Sequence, residues 1–428
     1  MSLCIRNGNI IDGEGIVFHN KDILIKNNLI VDINTNLAHK ADRIIDATNL
    51  WVLPGLIDAH CHLREPGFEY KEDISSGTAS AAAGGFTSIA CMPNTLPAID
   101  NAAMVEYIKK KAATQGIVRV YPIGAITLGR EGKTMVEMGE MKEAGAVALS
   151  DDGDPVVDPN TMRLALEYAK QFGLLLISHC EDKSLVAQGV MNEGYMSTLL
   201  GLKGISRAAE EVMVARDIIL SEITACPIHI AHVSTKGAVD IIRQAKSRGV
   251  PVTCETAPHY FSATDEWVEG YDTNTKVNPP LRTEEDLVAI KEGLKDGTID
   301  IIATDHAPHH RDEKEVEYDM AASGISGFET AFSLSYTHLV ETGILSLEEL
   351  VAKLSSIPAK ILGIPGGVLK AGLPADITIV DINREYEVDR DHFYSKGKNT
   401  PFHGKRLKGK IAYTIVGGKI VYDEEDAK

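Results

Sequence analysis

Eight short apolar runs of strand length recur in this 428-residue chain, and helical apolar spacing appears in the stretches between them. The runs are Leu53–Asp58, Thr87–Met92, Val118–Ile123, Ala146–Ser150, Leu174–Ser178, Ile228–Val233, Val250–Cys254 and Ile299–Thr304. Eight strands that alternate with helices are the number that closes a (β/α)₈ barrel. A doubly wound open sheet is the runner-up, but it requires a glycine-rich phosphate loop after the first strand, and none is present there. The sequence therefore predicts an α/β fold with a TIM-type barrel over residues 53–365.

The two ends of the chain have a different pattern, in which apolar and polar residues alternate between turn signals. Asp22–Asn28 near the start and Tyr413–Tyr422 near the end are examples, with Asn or Gly at the turns. Each end alone is too small to bury a core. Residues 1–52 and 366–428 are therefore predicted to fold together as a small β-sandwich domain beside the barrel.

The charge of the chain limits its partners. It has 43 Lys and Arg residues against 61 Asp and Glu, a formal net charge of −18. This acidic surplus argues against a nucleic-acid partner, and an anionic substrate would require positive charge supplied locally by the site. Six sparse cysteines and an amino terminus without the layout of a signal peptide favour a cytoplasmic protein with reduced thiols. No apolar stretch approaches the roughly 18 residues of a membrane span, so we expect no membrane association.

Histidine or aspartate residues stand at the ends of five of the eight predicted strands. They are His60 and His62, Asp151 and Asp152, His179, His232, and Asp305. Barrel active sites lie at the carboxyl ends of the strands, and buried imidazoles and carboxylates need compensating partners. A bound metal supplies that compensation better than a hydrogen-bonded polar plug. Alternate strand residues share a face, so His60 and His62 should point together, whereas His229 has the opposite parity to His232 and should face the helices.

Several stretches resemble the dihydroorotases of the amidohydrolase superfamily, and the resemblance extends over essentially the whole chain. Asp58–Gly67 is similar to the first signature of that family, and Ala303–His309, with Lys314 following, is similar to the second. Met92–Thr95 resembles the turn that contacts substrate after the second strand. Asn399–Phe402 also resembles dihydroorotases rather than the superfamily at large.

The resemblance implies two Zn²⁺ per chain. His60, His62, Asp152 and Asp305 would hold one zinc, while Asp152, His179 and His232 would hold the second. Asp152 would then bridge the metals, since this strand end has no lysine of the kind that is carboxylated in many cyclic amidohydrolases. Asp151 is the competing candidate for the bridge. Two zinc ions would leave the site positive before an anionic substrate binds, whereas a single zinc would leave it negative.

The implied reaction is the reversible cyclisation of N-carbamoyl-L-aspartate to (S)-dihydroorotate in de novo pyrimidine (UMP) biosynthesis. In the hydrolytic direction, a metal-bound hydroxide would attack the ring carbonyl, with Asp305 as general base and then general acid. Arg64, Asn94 and His309 would bind the substrate carboxylate, and Asn278 would contact the ring. Backbone contacts are expected from Ser323 and Gly324, although the family pattern has Pro-Phe-Gly where this chain has Ala-Ser-Gly.

Three alternatives remain open at this point. A hydantoinase (dihydropyrimidinase) or an allantoinase would share the fold and the reaction type, but neither explains the carboxylate-binding pattern of Arg64 and Asn94. An inactive dihydroorotase-like partner of aspartate transcarbamoylase should have lost metal ligands, whereas all the expected positions are filled here. A homodimer, and association with aspartate transcarbamoylase, are further expectations from the resemblance.

Overall fold

The two ends of the chain pair in one eight-stranded sheet in the computed structural model, which describes residues 2–426. The amino-terminal strands are β1 (Ser2–Ile11), β2 (Val17–Lys26), β3 (Leu29–Asn34), β4 (Arg43–Asp46) and β5 (Trp51–Pro54). Asn27 and Asn28 connect β2 to β3 with φ values of 50° and 69°, the left-handed conformations that a tight hairpin requires. The carboxyl-terminal strands join this sheet through β5, where Val52 pairs with Ile379.

Eight parallel strands form the barrel. They are β6 (Leu56–Cys61), β7 (Phe86–Cys91), β8 (Arg119–Pro122), β9 (Ala148–Ser150), β10 (Leu175–Ser178), β13 (Ile228–Ile230), β14 (Val252–Thr256) and β15 (Ile301–Ile302). The short strands β11 (Met191–Asn192) and β12 (Gly204–Ile205) pair with each other in the segment after β10. The carboxyl-terminal strands of the other sheet are β16 (Ile377–Glu387), β17 (Arg406–Val416) and β18 (Lys419–Asp423). All eight predicted runs contribute a barrel strand.

Two bridges close the barrel ring where regular pairing stops. Gly124 pairs with Leu149 between β8 and β9, and Cys61 pairs with His306 just beyond β15. The His62 amide donates to the His306 carbonyl over 2.8 Å, and the Thr304 amide and hydroxyl both donate to the Asp58 carboxylate over 2.7 Å. The first and last barrel strands are thus joined at the end where the candidate ligands lie.

The first predicted strand, Leu53–Asp58, is divided between the two sheets. Leu53 and Pro54 belong to β5, and the barrel strand begins only at Leu56. Gly55 permits the transition, because a Cβ atom there would lie 2.1 Å from Thr87 Oγ1. The predicted strand Leu53–Asp58 therefore covers the end of β5 and the start of β6.

Thirteen α-helices accompany the strands in residues 2–426. They are α1 (Ile74–Ala83), α2 (Ala102–Gln115), α3 (Met138–Ala144), α4 (Pro159–Gln171), α5 (Lys183–Val186), α6 (Tyr195–Leu200), α7 (Ala208–Thr224), α8 (Lys236–Ser247), α9 (Glu284–Lys295), α10 (Arg311–Lys314), α11 (Phe328–Ser335), α12 (Leu347–Leu354) and α13 (Ser356–Leu362). Local sequence sets their starts: Thr235 caps α8 and Thr283 forms a capping box with Asp286 in α9. No helix in this part of the chain is long and apolar enough to cross a membrane.

Apolar side chains fill the amino-terminal half of the barrel interior. Ile57, Ala148, Ile177 and Ile301 belong to one buried cluster, and Leu362 of α13 packs into the same cluster. A larger cluster separates the outer faces of the strands from the helices. Because apolar residues occupy that half, the buried polar residues concentrate at the carboxyl ends of the strands.

Candidate metal centre and substrate pocket

Six predicted ligands converge at the carboxyl ends of the barrel strands. The closest pairs of ligand atoms are His179 Nδ1 and His232 Nε2 at 2.8 Å, and His62 Nε2 and Asp305 Oδ1 at 3.1 Å. His60 Nε2 lies 3.3 Å from Asp152 Oδ1. The cluster is buried, and strand ends far apart in the sequence contribute to it because parallel strands bring their carboxyl ends to one edge.

Asp152 has a bridging position within this cluster. Its Oδ1 lies 3.6 Å from His179 Nδ1 and from His232 Nε2, while its Oδ2 lies 3.6 Å from His62 Nε2. The pKa of Asp152 is held well below its ordinary value, since His60, His179 and His232 outweigh the opposing effect of burial. Asp152 Oδ1 therefore faces His60, His179 and His232, while Oδ2 faces His62.

The donor atoms fit a metal ion of the zinc class. His60 Nε2 and Asp152 Oδ1 are buried without a hydrogen-bond partner in the described chain, so hydrogen bonding within the protein leaves both atoms uncompensated. His60, Asp152 and His232 form one set with ligand atoms within 4.8 Å of one another, and His60, His62 and Asp305 form a second. Imidazole nitrogens with carboxylate oxygens are ligands that Zn²⁺ accepts.

Asp151, the competing candidate for the bridge, is engaged elsewhere. Its Oδ1 accepts hydrogen bonds from the amides of Ile126 at 2.8 Å and Thr127 at 3.1 Å. The Thr127 hydroxyl donates to its Oδ2. These bonds direct the Asp151 carboxylate to the loop after β8, so the geometry favours Asp152 over Asp151.

Irregular backbone geometry directs the side chains of the candidate ligands into the site. Ile57 and Ala59 face the barrel interior, and a register shift between Asp58 and Cys61 breaks the alternation, so that His60 and His62 also face inward. His232 and Asp305 have φ values of 34° and 46°, a conformation that costs energy in residues with a Cβ atom. Such deviations are typical of functional sites.

The prediction that His229 faces the helices is wrong. Its neighbours Ile228 and Ile230 pack in the outer cluster, so His229 points into the barrel, where its Nε2 lies 3.2 Å from Glu255 Oε2. The parity argument assumed regular alternation from residue 229 to His232. The left-handed backbone at His232 breaks that alternation, and both side chains face inward.

Glu255, which the sequence analysis did not identify, orients a ligand. Its Oε1 accepts from His60 Nδ1 over 2.6 Å, which leaves His60 Nε2 facing Asp152. His62 Nδ1 similarly donates to Asn94 Oδ1 over 2.9 Å, and His179 Nε2 lies 3.6 Å from Glu181 Oε2. Partners of this kind fix the orientation of metal-binding imidazoles. Glu255 directly follows the seventh predicted strand, and this strand-end position is the sequence signal that could have identified it as a site residue.

Arg64 lies beside the cluster without an acidic partner. Its Nε donates to the Pro308 carbonyl over 3.2 Å, and its Nη2 lies 3.2 Å from His309 Nε2. Within residues 2–426 it forms no ion pair, and Glu65 instead pairs with Lys111 at 2.9 Å. A half-buried guanidinium without a carboxylate is suited to bind an anion.

His309 connects Arg64 to the other predicted substrate residues. His309 Nε2 lies 2.9 Å from the Ser323 carbonyl, and Ser323 and Asn278 line one cavity of about 600 Å³. Gly324 has a φ of 154°, and a Cβ atom at this position would lie 2.4 Å from the Ala307 carbonyl oxygen. Only glycine fits this wall of the pocket without movement of the backbone.

His309 is neutral at physiological pH. Burial, together with Arg64, Lys71 and Lys314, lowers its pKa to about 4, although Glu313 at 3.2 Å from Nδ1 acts in the opposite direction. The positive charges around His309 contrast with the net charge of −18 on the whole chain. This side of the pocket therefore supplies the local positive potential that an anionic substrate needs.

Dihydroorotases are among the known proteins whose sequences are similar to this chain. A family model described as dihydro-orotase-like matches residues 50–238, and one described as an amidohydrolase family matches residues 285–422. Dihydroorotases from Acetivibrio thermocellus and Geobacter metallireducens are 57% and 58% identical to this chain, each over 423 residues. These alignments cover 99% of this chain, and 99% and 100% of the two relatives.

Solved structures with similar folds confirm the barrel. The L-hydantoinase of Arthrobacter aurescens is 28% identical, with a TM-score of 0.89 over 98% of this chain and 96% of its own. The dihydropyrimidinase of Brevibacillus agri is 24% identical, with a TM-score of 0.87 over 99% and 95%, a likeness in fold alone. The sequence relatives are about twice as similar to this chain as either hydantoinase-type structure is. The chain belongs to the dihydroorotase family of amidohydrolases.

Proposed function

We propose that this chain interconverts N-carbamoyl-L-aspartate and (S)-dihydroorotate, a step of de novo pyrimidine (UMP) biosynthesis. The observation that carries the proposal is the juxtaposition of the buried ligand cluster with Arg64, a cation that has no acidic partner in the described chain. A metal held by the ligand cluster would promote amide hydrolysis, and the Arg64 guanidinium would bind a substrate carboxylate. The dihydroorotase relatives support this assignment over the whole length of the chain.

We propose Zn²⁺ as the cofactor, with two ions per chain. His60, His62, Asp152 and Asp305 would hold one ion, and Asp152, His179 and His232 the other. The two oxygens of Asp152, which face different histidines, support a bridging role. Bound zinc supplies Lewis acidity and lowers the pKa of water.

Asp305 is the proposed proton carrier. The pKa of its carboxyl lies below the ordinary value, because the His62 hydrogen bond and the surrounding histidines outweigh burial. In hydrolysis the ionised carboxylate takes the proton of the attacking water and passes it to the departing ring nitrogen. In synthesis the same transfers run in reverse, and closure of the dianionic carbamoyl aspartate to the monoanion consumes one proton. Acid therefore favours synthesis at equilibrium.

Arg64, Asn94 and His309 are the proposed carboxylate-binding residues, with Asn278, Ser323 and Gly324 along the ring. Arginine suits this role because its planar fork can pair with both carboxylate oxygens. Two contacts support this role: Arg64 Nη2 lies 3.2 Å from His309 Nε2, and Asn94 Oδ1 accepts from the candidate ligand His62 over 2.9 Å.

The test is ultraviolet absorbance with dihydroorotate, dihydrouracil and allantoin, each with and without a chelator. Turnover of dihydroorotate far above that of dihydrouracil or allantoin, abolished by the chelator, is the expected result. Asp305→Asn should lower kcat by about 10²–10⁴-fold, the usual contribution of a general base or acid. Asp154→Asn removes an exposed acid that pairs with Arg130 and serves as the matched control. Activity of the Asp305 variant within tenfold of wild type would remove Asp305 from this role.

Three further properties complete the proposal. Residues 1–52 and 366–428 form a domain separate from the barrel of residues 53–365, supported by the apolar cluster that Ile5, Ile23, Ile379 and Ile415 share apart from the barrel core. The protein is a cytoplasmic homodimer, and it associates with aspartate transcarbamoylase, as the family resemblance implies. Size-exclusion chromatography of the chain, alone and with the transcarbamoylase, tests the assembly.

A further inference from the structure

Lys314 is a buried cation with no acidic partner in the described chain. It ends the short helix α10, and only 5% of its surface is exposed. Its Nζ donates to the Ala322 carbonyl over 2.8 Å and lies 3.4 Å from the carbonyls of Lys276 and Gly324. Burial of an ammonium group is costly, so three backbone acceptors around one nitrogen form a specific site for it.

The three carbonyls belong to two different segments of the pocket wall. Residues 276–278 include Asn278, and residues 322–324 include the predicted backbone contacts. The Gly324 amide donates to the Lys276 carbonyl over 2.9 Å, so the two segments meet beside the ammonium group. Lys314 therefore connects both segments at their junction, although it does not itself line the cavity shared by Asn278 and Ser323.

The geometry also explains why the residue is lysine. An ammonium group has three tetrahedrally arranged donors, which match three converging carbonyl oxygens. A planar guanidinium presents its donors in a fork and is larger, and a methionine of similar length has no donor. The positive charge behind the wall adds to that of Arg64 toward an anionic substrate.

We propose that Lys314 is a positioning residue for substrate, whose charged side chain holds the 276–278 and 322–324 segments together and thereby sets substrate affinity. The inference rests on the proposed function, because it treats these segments as the substrate wall. Metal binding should be independent of Lys314, since none of its contacts is a candidate ligand.

The protonation of Lys314 should then be visible in the affinity for substrate. Burial and the neighbouring Lys276 lower its pKa to about 7, while Asp272 acts in the opposite direction. The other charged or titratable groups around it, on α10 or across the adjoining cavity, are His309, Arg311, Glu313, Glu315, Arg390, Asp391, Lys396 and Lys398. The ammonium form predominates below pH 7 and the amine above it, so affinity for an anion should weaken as the pH rises through neutrality.

The experiment compares Lys314→Met with Lys353→Met in the zinc-loaded enzyme. Lys353 is the matched control, because it is equally buried and also donates to backbone carbonyls, those of Ile299 at 2.7 Å and Asp300 at 3.5 Å. Lys314→Met should raise KM for dihydroorotate about tenfold at pH 6, with kcat within about threefold and zinc content unchanged. The ratio of its KM to the wild-type KM should fall toward one at pH 8.5. Lys353→Met should lower Tm without changing KM.

Lys314→Arg is the second variant, and it also serves if the methionine variant does not fold. Its side chain keeps its charge at pH 8.5, so its KM should not rise between pH 6 and pH 8.5 as that of the wild type does. Any of three results would show that Lys314 has a purely structural role. These are an unchanged KM in Lys314→Met, a ratio of its KM to the wild-type KM that does not depend on pH, and an equal KM increase in Lys353→Met. If the wild-type enzyme does not turn over dihydroorotate, both the proposed function and this inference fail, whereas turnover with an unchanged variant rejects only the inference.

Discussion

His60 donates a hydrogen bond from Nδ1 to Glu255 Oε1 over 2.6 Å, and its Nε2 faces Asp152 Oδ1 at 3.3 Å. The other oxygen of Glu255 lies 3.2 Å from His229 Nε2, and His229 Nδ1 in turn lies 2.8 Å from Thr253 Oγ1. This series of contacts fixes the orientation of the His60 ring from inside the barrel. The pKa of Glu255 lies below its ordinary value despite burial, because His60 and His229 both face it.

Glu255→Gln should weaken zinc binding by about ten- to a hundredfold, since an amide orients the His60 imidazole less strongly than a carboxylate does. Competition with a chromogenic chelator measures the affinity. Glu329→Gln changes a half-buried carboxyl whose Oε1 accepts from the Tyr394 amide at 2.7 Å and from the Ser80 hydroxyl at 2.8 Å, and it should retain wild-type affinity. Equal affinities in the two variants would show that Glu255 does not support the metal.

Asp152→Asn should lower the zinc content, whereas Asp151→Asn should lower the thermal stability. Loss of the Asp152 carboxylate removes the charge that lies between His62 on one side and His179 on the other, so zinc content should fall by at least one ion per chain in the proposed two-metal site. Asp151→Asn should keep its zinc and lower Tm, because its carboxylate holds the Ile126 and Thr127 amides. Elemental analysis and thermal unfolding of both proteins measure these effects. Zinc loss confined to Asp151→Asn would make Asp151 the bridge.

Arg64→Met should lower kcat/KM for dihydroorotate by about ten- to a hundredfold, the value of a charge-assisted hydrogen bond in a pocket. Any residual activity on dihydrouracil, which has no carboxylate, should change little, and zinc content should be unchanged. Arg64→Lys keeps the charge without the planar fork and should recover only part of the loss. Equal losses on both substrates would instead assign Arg64 to support of the metal or the fold.

Glu329→Gln should also reduce the dependence of stability on pH. Burial raises the pKa of Glu329 from an ordinary 4.5 to about 7, so the folded protein binds this proton more tightly than the unfolded chain does. The stability that the proton provides is complete below pH 4.5 and is lost as the pH rises through 7. Urea unfolding at pH 5.5 and pH 8 should show a smaller decrease for Glu329→Gln than for wild type. Glu14→Gln, an exposed site with the same change of charge, should follow the wild type.

The barrel and the ligand cluster could be predicted because both follow from a simple periodicity. Eight apolar runs gave the strand count, and the carboxyl ends of parallel strands necessarily meet at one edge. His60 and His62 are two residues apart and share a face whatever the absolute orientation of the strand, so the prediction that they point together held despite the register shift between Asp58 and Cys61.

The features of the site that could not be predicted depend on local backbone geometry, or on residues that orient a candidate ligand or a pocket segment without binding metal or substrate themselves. His229 was assigned to the wrong side because its parity was counted from His232, whose φ of 34° has no signature in the sequence. Glu255 contacts His60, 195 positions away, and Lys314 contacts two segments of the pocket wall. The position of Glu255 after a strand and that of Lys314 after the second signature are visible in the sequence, but neither position shows which groups the side chain contacts. Only the assembled barrel shows what these side chains face.

Closure of the barrel determines when, during synthesis and folding, the candidate metal ligands come together. Asp58 and Thr304, 246 positions apart, join the first and last strands of the ring, and ligands lie directly beyond both. A growing polypeptide therefore lacks Asp305 until most of the chain has been made, and contacts between such distant segments form late in folding. The predicted ligands of the first and last strands therefore come together only when these two strands are joined.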